Sequence, residues 1–208
     1  MAVLPEEESR RRTTDSRAYD DYVDSIPFER ALHPDNLVAL QMNGEALPPG
    51  HGFPARLLVP GIYGMKNVKW LTNIRLVEGD VKGFWQQRGW SDKAVYNTNA
   101  RIDVPHYSDQ VTAGPRSVAG VAFAGDRGIQ KVEVSVDGGK TWQEAQLKEP
   151  LSPYTWVLWI LPWDAQPKSA VIIARATDGT GTVQPAEVRG TLPDGATGYH
   201  QIVVSVSA

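Results

Sequence analysis

Residues 51–70, HGFPARLLVPGIYGMKNVKW, set His51, Arg56, Lys66 and Lys69 on a frame of glycines and prolines. Cations beside a glycine-rich backbone are the ingredients of an anion site. The side chains bring fixed charge, and amides with no Cβ in the way can approach a ligand closely. Arginine offers a planar fork and lysine a point charge, both suited to phosphate. The stretch ALPPGHGFP cannot be a regular element, because its prolines and glycines interrupt helix and sheet ladders alike. It reads as a shaped loop that delivers His51, five residues before Arg56. Spacing alone stops at an anionic ligand and does not say which one.

Little else in the chain has the pattern of chemistry. His33, His51, His106 and His200 are the only histidines and form no HxH or HExxH pair. Cysteine is absent, so neither a disulfide nor a thiolate metal site can be built from this chain alone. No Ser-His-Asp spacing, nucleotide-binding glycine motif or dedicated carboxylate pair stands out. A net charge of -3 gives no global basic field, which argues against nucleic acid as a partner. No apolar run reaches the ~18 residues of a membrane span, and MAVLPEEESRRR has no apolar signal core. Compartment is left open.

Several elements must position the cations. Residues 1–25 form a mixed-charge leader, expected to be frayed or partner-dependent. Ser25 is a candidate cap for one or two helical turns in PFERAL, which must end before Pro34. DNLVALQMNG reads as a short helix or strand ending at Asn43-Gly44. ARLLVPG is a short strand. VKWLTNIRLVEG is expected as a longer one, with Val68, Trp70, Ile74 and Leu76 on one face and Lys69, Asn73 and Arg75 on the other. GIYGMKN, between them, is glycine-punctuated. GFWQQRGWSDKAVYNTNARIDVPHYSD is irregular and aromatic, and composition changes near Pro105.

From residue 106 the pattern is all-β. Strands of alternating polarity recur about every ten residues with turn signals between them, as in a sandwich. Val132, Val134 and Val136 are expected inward, with Lys131, Glu133 and Ser135 outward; Ile202, Val204 and Val206 repeat the scheme. SVDGGKTW carries a hairpin signal in Asp137-Gly138-Gly139 and matches the Asp-box spacing, a folding device. YTWVLWILPW is apolar on both faces, with Trp156, Leu158 and Ile160 opposite Val157, Trp159 and Leu161. A sandwich covers only one face of a strand, so the other needs a second cover. Alternation does not choose between Trp156 and Trp159. Trp159 is taken as the outer residue, with Trp156 and Leu158 filling the core.

At these residues a family resemblance enters. MNGEALPPGHGFPARLLVPGIYGMKNVKWLTNI resembles the end of the molybdopterin-binding domain of the sulfite oxidase family, which includes eukaryotic nitrate reductase. GVAFAGDRGIQKVEVSVDGGKTWQEA, ARATDGTGTVQP and GYHQIVVSV resemble that family's C-terminal dimerisation domain. The resemblance implies a fold class: an α+β partial molybdopterin-binding domain over residues 26–105, then an all-β immunoglobulin-like sandwich over 106–208. It also implies roles. His51, Arg56, Asn67, Val68 and Lys69 match cofactor-binding positions, and the cofactor's phosphate and polar ring would be the anionic ligand. Arg189, in EVRG, matches the arginine directed at the substrate anion. Trp90 stands where sulfite oxidases carry an active-site tyrosine, and it has no phenol hydroxyl to offer.

The family's molybdenum ligand is a cysteine from the earlier half of the cofactor domain, and this chain has none. The resemblance therefore implies the C-terminal portion, or a subunit, of a molybdopterin-dependent oxidoreductase acting on a small oxyanion such as sulfite. It implies a homodimer through the C-terminal domain, and a molybdopterin cofactor held by the complete enzyme but absent, with its molybdenum, from this chain alone. The alternative is a non-catalytic interaction module that completes a separate, cysteine-bearing partner. A weaker third reading, an Asp-box carbohydrate binder, leaves the first hundred residues unexplained.

Overall fold

The computed structural model describes the backbone of residues 12–17 and the whole of residues 22–208. The chain divides into two units, Met1–Val95 with Leu192–Asp194, and Tyr96–Thr191 with Gly195–Ala208. The division falls ahead of the expected change at Pro105. Residues 99–104 alternate and hydrogen-bond into the second unit's sheet, so that strand belongs to the sandwich.

In the first unit, strands β1 (Arg12–Arg17) and β2 (Val23–Pro27) lead into a one-turn helix α1 (Phe28–Ala31). The leader is therefore not frayed throughout. β1 pairs antiparallel with β2, placing Thr14 opposite Ile26, and Asp24 and Ser25 are buried. The remainder of the leader lies outside the described residues. Ser25 does not cap α1, whose N-cap is Pro27 without a side-chain bond; its hydroxyl donates to Val81 O at 2.5 Å. Then come β3 (Leu37–Ala39), β4 (Gln41–Met42), β5 (Glu45–Ala46), β6 (Arg56–Leu58) and β7 (Asn73–Glu78). β4 and β5 make a hairpin through Asn43 (φ 55°) and Gly44 (φ 83°), the turn that two positive φ values demand. β3 pairs with β6, and β7 with β1.

The long strand expected over VKWLTNIRLVEG is only its second half. Residues 64–66 form a 3-10 turn, and Trp70 takes φ 52°, which breaks strand geometry before Asn73. Val68 therefore turns inward to the small core of Ile26, Leu57 and Val59. Ile74 and Leu76, further on, stay half exposed.

In the second unit, the four-stranded sheet contains β8 (Asn99–Val104), β10 (Gly114–Phe123), β13 (Gln146–Leu147) and β14 (Val157–Ala165), in the order β13-β14-β10-β8. The five-stranded sheet contains β9 (Gln110–Thr112), β11 (Ile129–Ser135), β12 (Gln143–Glu144), β15 (Ala170–Asp178) and β16 (His200–Ser207), in the order β12-β11-β15-β16-β9. All pairings are antiparallel except β16 with β9. TWQEAQLKE is not one strand but two: β12 pairs with β11, and β13 with β14, so the chain changes sheets at buried Ala145.

Both inner faces follow the alternation: Val132, Val134, Ile172, Ala174 and Val204 are fully buried. Ser135 is an exception. Expected outward, it is buried, because its hydroxyl braces the turn, donating to Asp137 Oδ1 at 2.7 Å and accepting from Gly139 N at 2.8 Å. Bonds from Thr141 and Ser135 hold the Asp137 carboxyl well below the usual range. β14 resolves the question its sequence left open, against the expectation. Trp159 is 2% exposed and sits in the core, while Trp156, at 60%, shares the outer face with Leu158 and Ile160. One cause is Gly120 on β10. A Cβ there would lie 1.8 Å from Arg101 O and 2.7 Å from the Trp159 ring, so the indole fills the space the glycine leaves.

Buried polar groups tie the two sheets together. Gln184 Oε1 accepts from Ala100 N on β8 and Ala176 N on β15, at 3.0 and 3.1 Å. His200 Nδ1, on β16, accepts from Ile102 N on β8 at 2.9 Å. Asp178 accepts from Arg127 and Thr98 at 2.9 and 3.0 Å. Burial alone would raise its pKa, but bonds from Thr180, Arg127 and Thr98 hold it at about 2.

Candidate functional site

Two prolines start the site. Pro48 and Pro49 set up a 3-10 turn, Pro49–His51, closed by Gly52 at φ 108°. Only glycine fits at 52, for a second reason as well. A Cβ would meet Lys69 Cβ at 3.0 Å, Lys69 Cα at 3.1 Å and Arg56 Cβ at 3.3 Å. The stems of Arg56 and Lys69 thus flank the same glycine, next in sequence to His51.

Backbone bonds fix this juxtaposition. Trp70 N donates to Gly52 O at 3.3 Å, Leu71 N to Ala55 O at 2.8 Å, and Leu57 N to Val68 O at 2.9 Å. The Lys69 ammonium donates to Gly50 O at 2.8 Å and lies 5.7 Å from the Trp70 ring centre. The Trp70 indole donates to Pro49 O at 3.0 Å. Asn67 Oδ1 accepts from Val59 N at 2.6 Å, leaving its Nδ2 as a donor without a partner among the described residues. Alternation along β6 buries Leu57 and turns Arg56 to the other side. There Arg56 Nε is a buried donor with no hydrogen-bond partner. Buried polar groups are paired in the great majority of cases, so this orphaned guanidinium donor beside a second cation stands out.

The structure brings His51, Arg56, Asn67 and Lys69 to one loop cluster. His51 is exposed, and Val68 is buried at 2% and offers a ligand only its backbone. Lys66, one of the cations singled out in the sequence, is not in the cluster. It is 1% exposed and bonded to Asp24. Trp90 is half buried against Trp85, with ring centres 5.9 Å apart, and no hydrogen bond or ring contact links it to the loop cluster. Arg189, in the second unit, is exposed, with Nε 3.4 Å from Glu187 Oε2. Asp24 was missed. Its position in a charged stretch gave no sign that it is buried. Among the described residues, no group of three His, Asp or Glu could hold a metal ion, and no helix is long and apolar enough to cross a membrane.

Comparison with known proteins agrees with this layout. Residues 5–85 match the family described as Oxidoreductase molybdopterin binding domain, and residues 92–207 match the Mo-co oxidoreductase dimerisation domain. Mitochondrial sulfite oxidase of Mus musculus is 34% identical over 217 residues, covering 89% of this chain and 39% of that protein. Sulfite oxidase of Arabidopsis thaliana is 33% identical, covering 88% of this chain and 55% of that one. The crystal structure of the sulfane dehydrogenase SoxCD from Paracoccus pantotrophus superposes with a TM-score of 0.77 at 26% identity, covering 96% of this chain and 58% of that chain. The chain spans about two fifths to just over half the length of these proteins.

Proposed function

This chain belongs to the sulfite oxidase family of molybdopterin oxidoreductases, and we propose that it supplies part of that family's cofactor cradle and a dimerisation domain to an enzyme acting on a small oxyanion such as sulfite. The observation that carries the reading is the orphaned Arg56 Nε beside Lys69, across a glycine that admits no Cβ. Arg56 and Lys69 would hold the phosphate and polar ring of the pterin, His51 and Asn67 Nδ2 would hydrogen-bond to it, and the Val68 segment would supply backbone. When bound, the cofactor provides oxygen-atom transfer with a two-electron change at its metal; the protein orients it and supplies charge. Arg189 attracts the substrate anion. Trp90, in the first unit, stands by resemblance where the family carries an active-site tyrosine and has no phenol hydroxyl to offer.

The domain is completed from outside these residues. No cysteine is present to ligate molybdenum, and Leu37, Val38, Leu40, Ile74 and Leu76 of the first unit are 45–61% exposed. Such apolar exposure is the surface that a further, cysteine-bearing part of the cofactor domain would cover. The outer face of β14 serves a two-fold dimer, one patch meeting its own copy.

The test is retained pterin. Purified chain, expected to carry no cofactor as isolated, is expected to take up added molybdopterin weakly, as a partial cradle would, read by equilibrium dialysis with pterin fluorescence after oxidation. Arg56→Ala and Lys69→Ala are expected to lose about tenfold or more, since hydrogen bonds to charged groups contribute about 1.5–3 kcal/mol each. Elemental analysis is expected to find well under one molybdenum per chain. A wild-type chain that retains no pterin, or variants that retain as much, would end this reading.

A further inference from the structure

A chain of alternating charge runs from the surface into the first unit. Asp80, Lys82, Asp92, Lys66 and Asp24 follow one another at 2.7, 3.0, 3.5 and 2.9 Å. The outer three are roughly half exposed, whereas the side chains of Lys66 and Asp24 are each 1% exposed. Buried ion pairs contribute little net stability, because both ions lose their hydration; breaking one by removing a single partner is nevertheless costly. A buried lysine therefore has one place to go, and its backbone goes with it.

That backbone matters. Lys66 ends the 3-10 turn Gly64–Lys66, and Asn67, Val68 and Lys69 follow at once. Three residues of 3-10 helix do not hold a register by themselves. Here the turn is pinned to β2 from both sides. Lys66 Nζ donates to Asp24 Oδ1 at 2.9 Å and Ser25 O at 2.7 Å, and Tyr22 Oη donates to Met65 O at 2.5 Å. Beyond the turn, Asn67 Oδ1 and Val68 O receive Val59 N and Leu57 N from the β6 segment.

We propose that the buried Lys66–Asp24 pair is a positioning device: it fixes the turn on β2 and thereby sets where Asn67 and Lys69 stand, a role that rests on the reading of those two residues as cofactor ligands. The backbone of β2 at Val23 and Asp24 also supports a second segment. Phe84 N donates to Val23 O at 3.2 Å, and a Cβ on Gly83 would meet Val23 O at 2.5 Å and Asp24 Cα at 2.9 Å. Residues 80–84 thus lie flat on β2, and Lys82 and Asp92 connect them to Lys66. The Gly64–Lys66 turn and residues 83–84 thus both rest on β2.

Amide hydrogen exchange tests this without any cofactor. The reporters are Leu57 N–H and Val59 N–H, whose acceptors lie on the positioned segment. In Lys66→Met and Asp24→Asn both amides are expected to exchange about tenfold faster or more, with Val132 and Val134 in the second unit unchanged. Lys66→Arg, which keeps the charge, is expected to restore most of the protection. Asp92→Asn, at the half-exposed end, removes only the outer partner and is expected to give a smaller change at the same two amides; it serves where Lys66→Met does not fold. Protection at Leu57 and Val59 unaltered in the folded variants, or a uniform rise across the whole first unit, would overturn the proposal. If Arg56→Ala and Lys69→Ala retain pterin, the cofactor reading falls while the exchange result stands on its own.

Discussion

Replacing Arg56 by methionine should move stability and binding in opposite directions. Arg56 Nε is buried without a partner, and an unsatisfied buried donor costs about 1–3 kcal/mol. Methionine keeps an apolar stem of similar reach and removes the donor. The side chain is only half buried, so the lower end of the range applies, a gain of about 1 kcal/mol. That is roughly 4–8 °C in unfolding temperature for a unit of about a hundred residues. The same change deletes the guanidinium that faces the proposed anion, worth about 1.5–3 kcal/mol as a charge-assisted bond, or about ten- to a hundredfold in affinity. Urea unfolding of the ligand-free protein, followed by tryptophan fluorescence, measures the first effect. Pterin retention measures the second. A variant less stable than wild type would mean that the Nε carries no penalty and that the site is not built around an absent acceptor.

Two further outcomes are expected. Leu158→Glu should give a folded monomer, because Leu158 is 48% exposed on the outer face of β14, whereas Trp159→Glu should unfold the sandwich. Emptying a buried tryptophan site alone costs about 3–5 kcal/mol; light scattering with circular dichroism distinguishes the two, and a folded Trp159→Glu protein would contradict the packing. Acid should weaken the sandwich in two stages. Burial lowers the His200 pKa from 6.5, so the unfolded chain takes up the proton first and stability declines as pH falls below 6.5. The Asp178 carboxyl, held at about 2 instead of 3.8, contributes stability that is full above 3.8 and is lost as pH falls toward 2; a urea midpoint that stays flat from pH 7 to pH 5 would remove the His200 part.

What could be read from the sequence followed physical periodicity. Strands with one buried face announced themselves, as in Val132 and Val134 or Ile202, Val204 and Val206, because a period of two has one reading when the other face is polar. β14 did not, since both of its faces are apolar and the choice was made by Gly120 on β10, four strands earlier in sequence and adjacent in the sheet. The loop cluster of His51, Arg56 and Lys69 was legible because proline and glycine write their backbone constraints locally. Lys66 looked equivalent to Lys69 in sequence. What separates them is a partner 42 residues away, and one sequence holds no record of that pairing. The break at Trp70 was missed for a related reason: a tryptophan with positive φ is held there by its indole bond to Pro49 O, a tertiary contact.

The placing of β16 has a consequence for how the protein is made. β9 has one partner in its sheet, β16, and pairs with it in parallel. β16 also brings Ile202, Val204 and Val206 to the inner face. Translation delivers Gln110–Thr112 about 90 residues before the strand it needs, a delay of about 5–20 s at ordinary elongation rates. Through that interval the nascent sandwich exposes the open flank of β15 and the apolar outer face of β14 together. The domain can close only after residues 200–207 have emerged, and a chaperone that shields strand edges would act on it late.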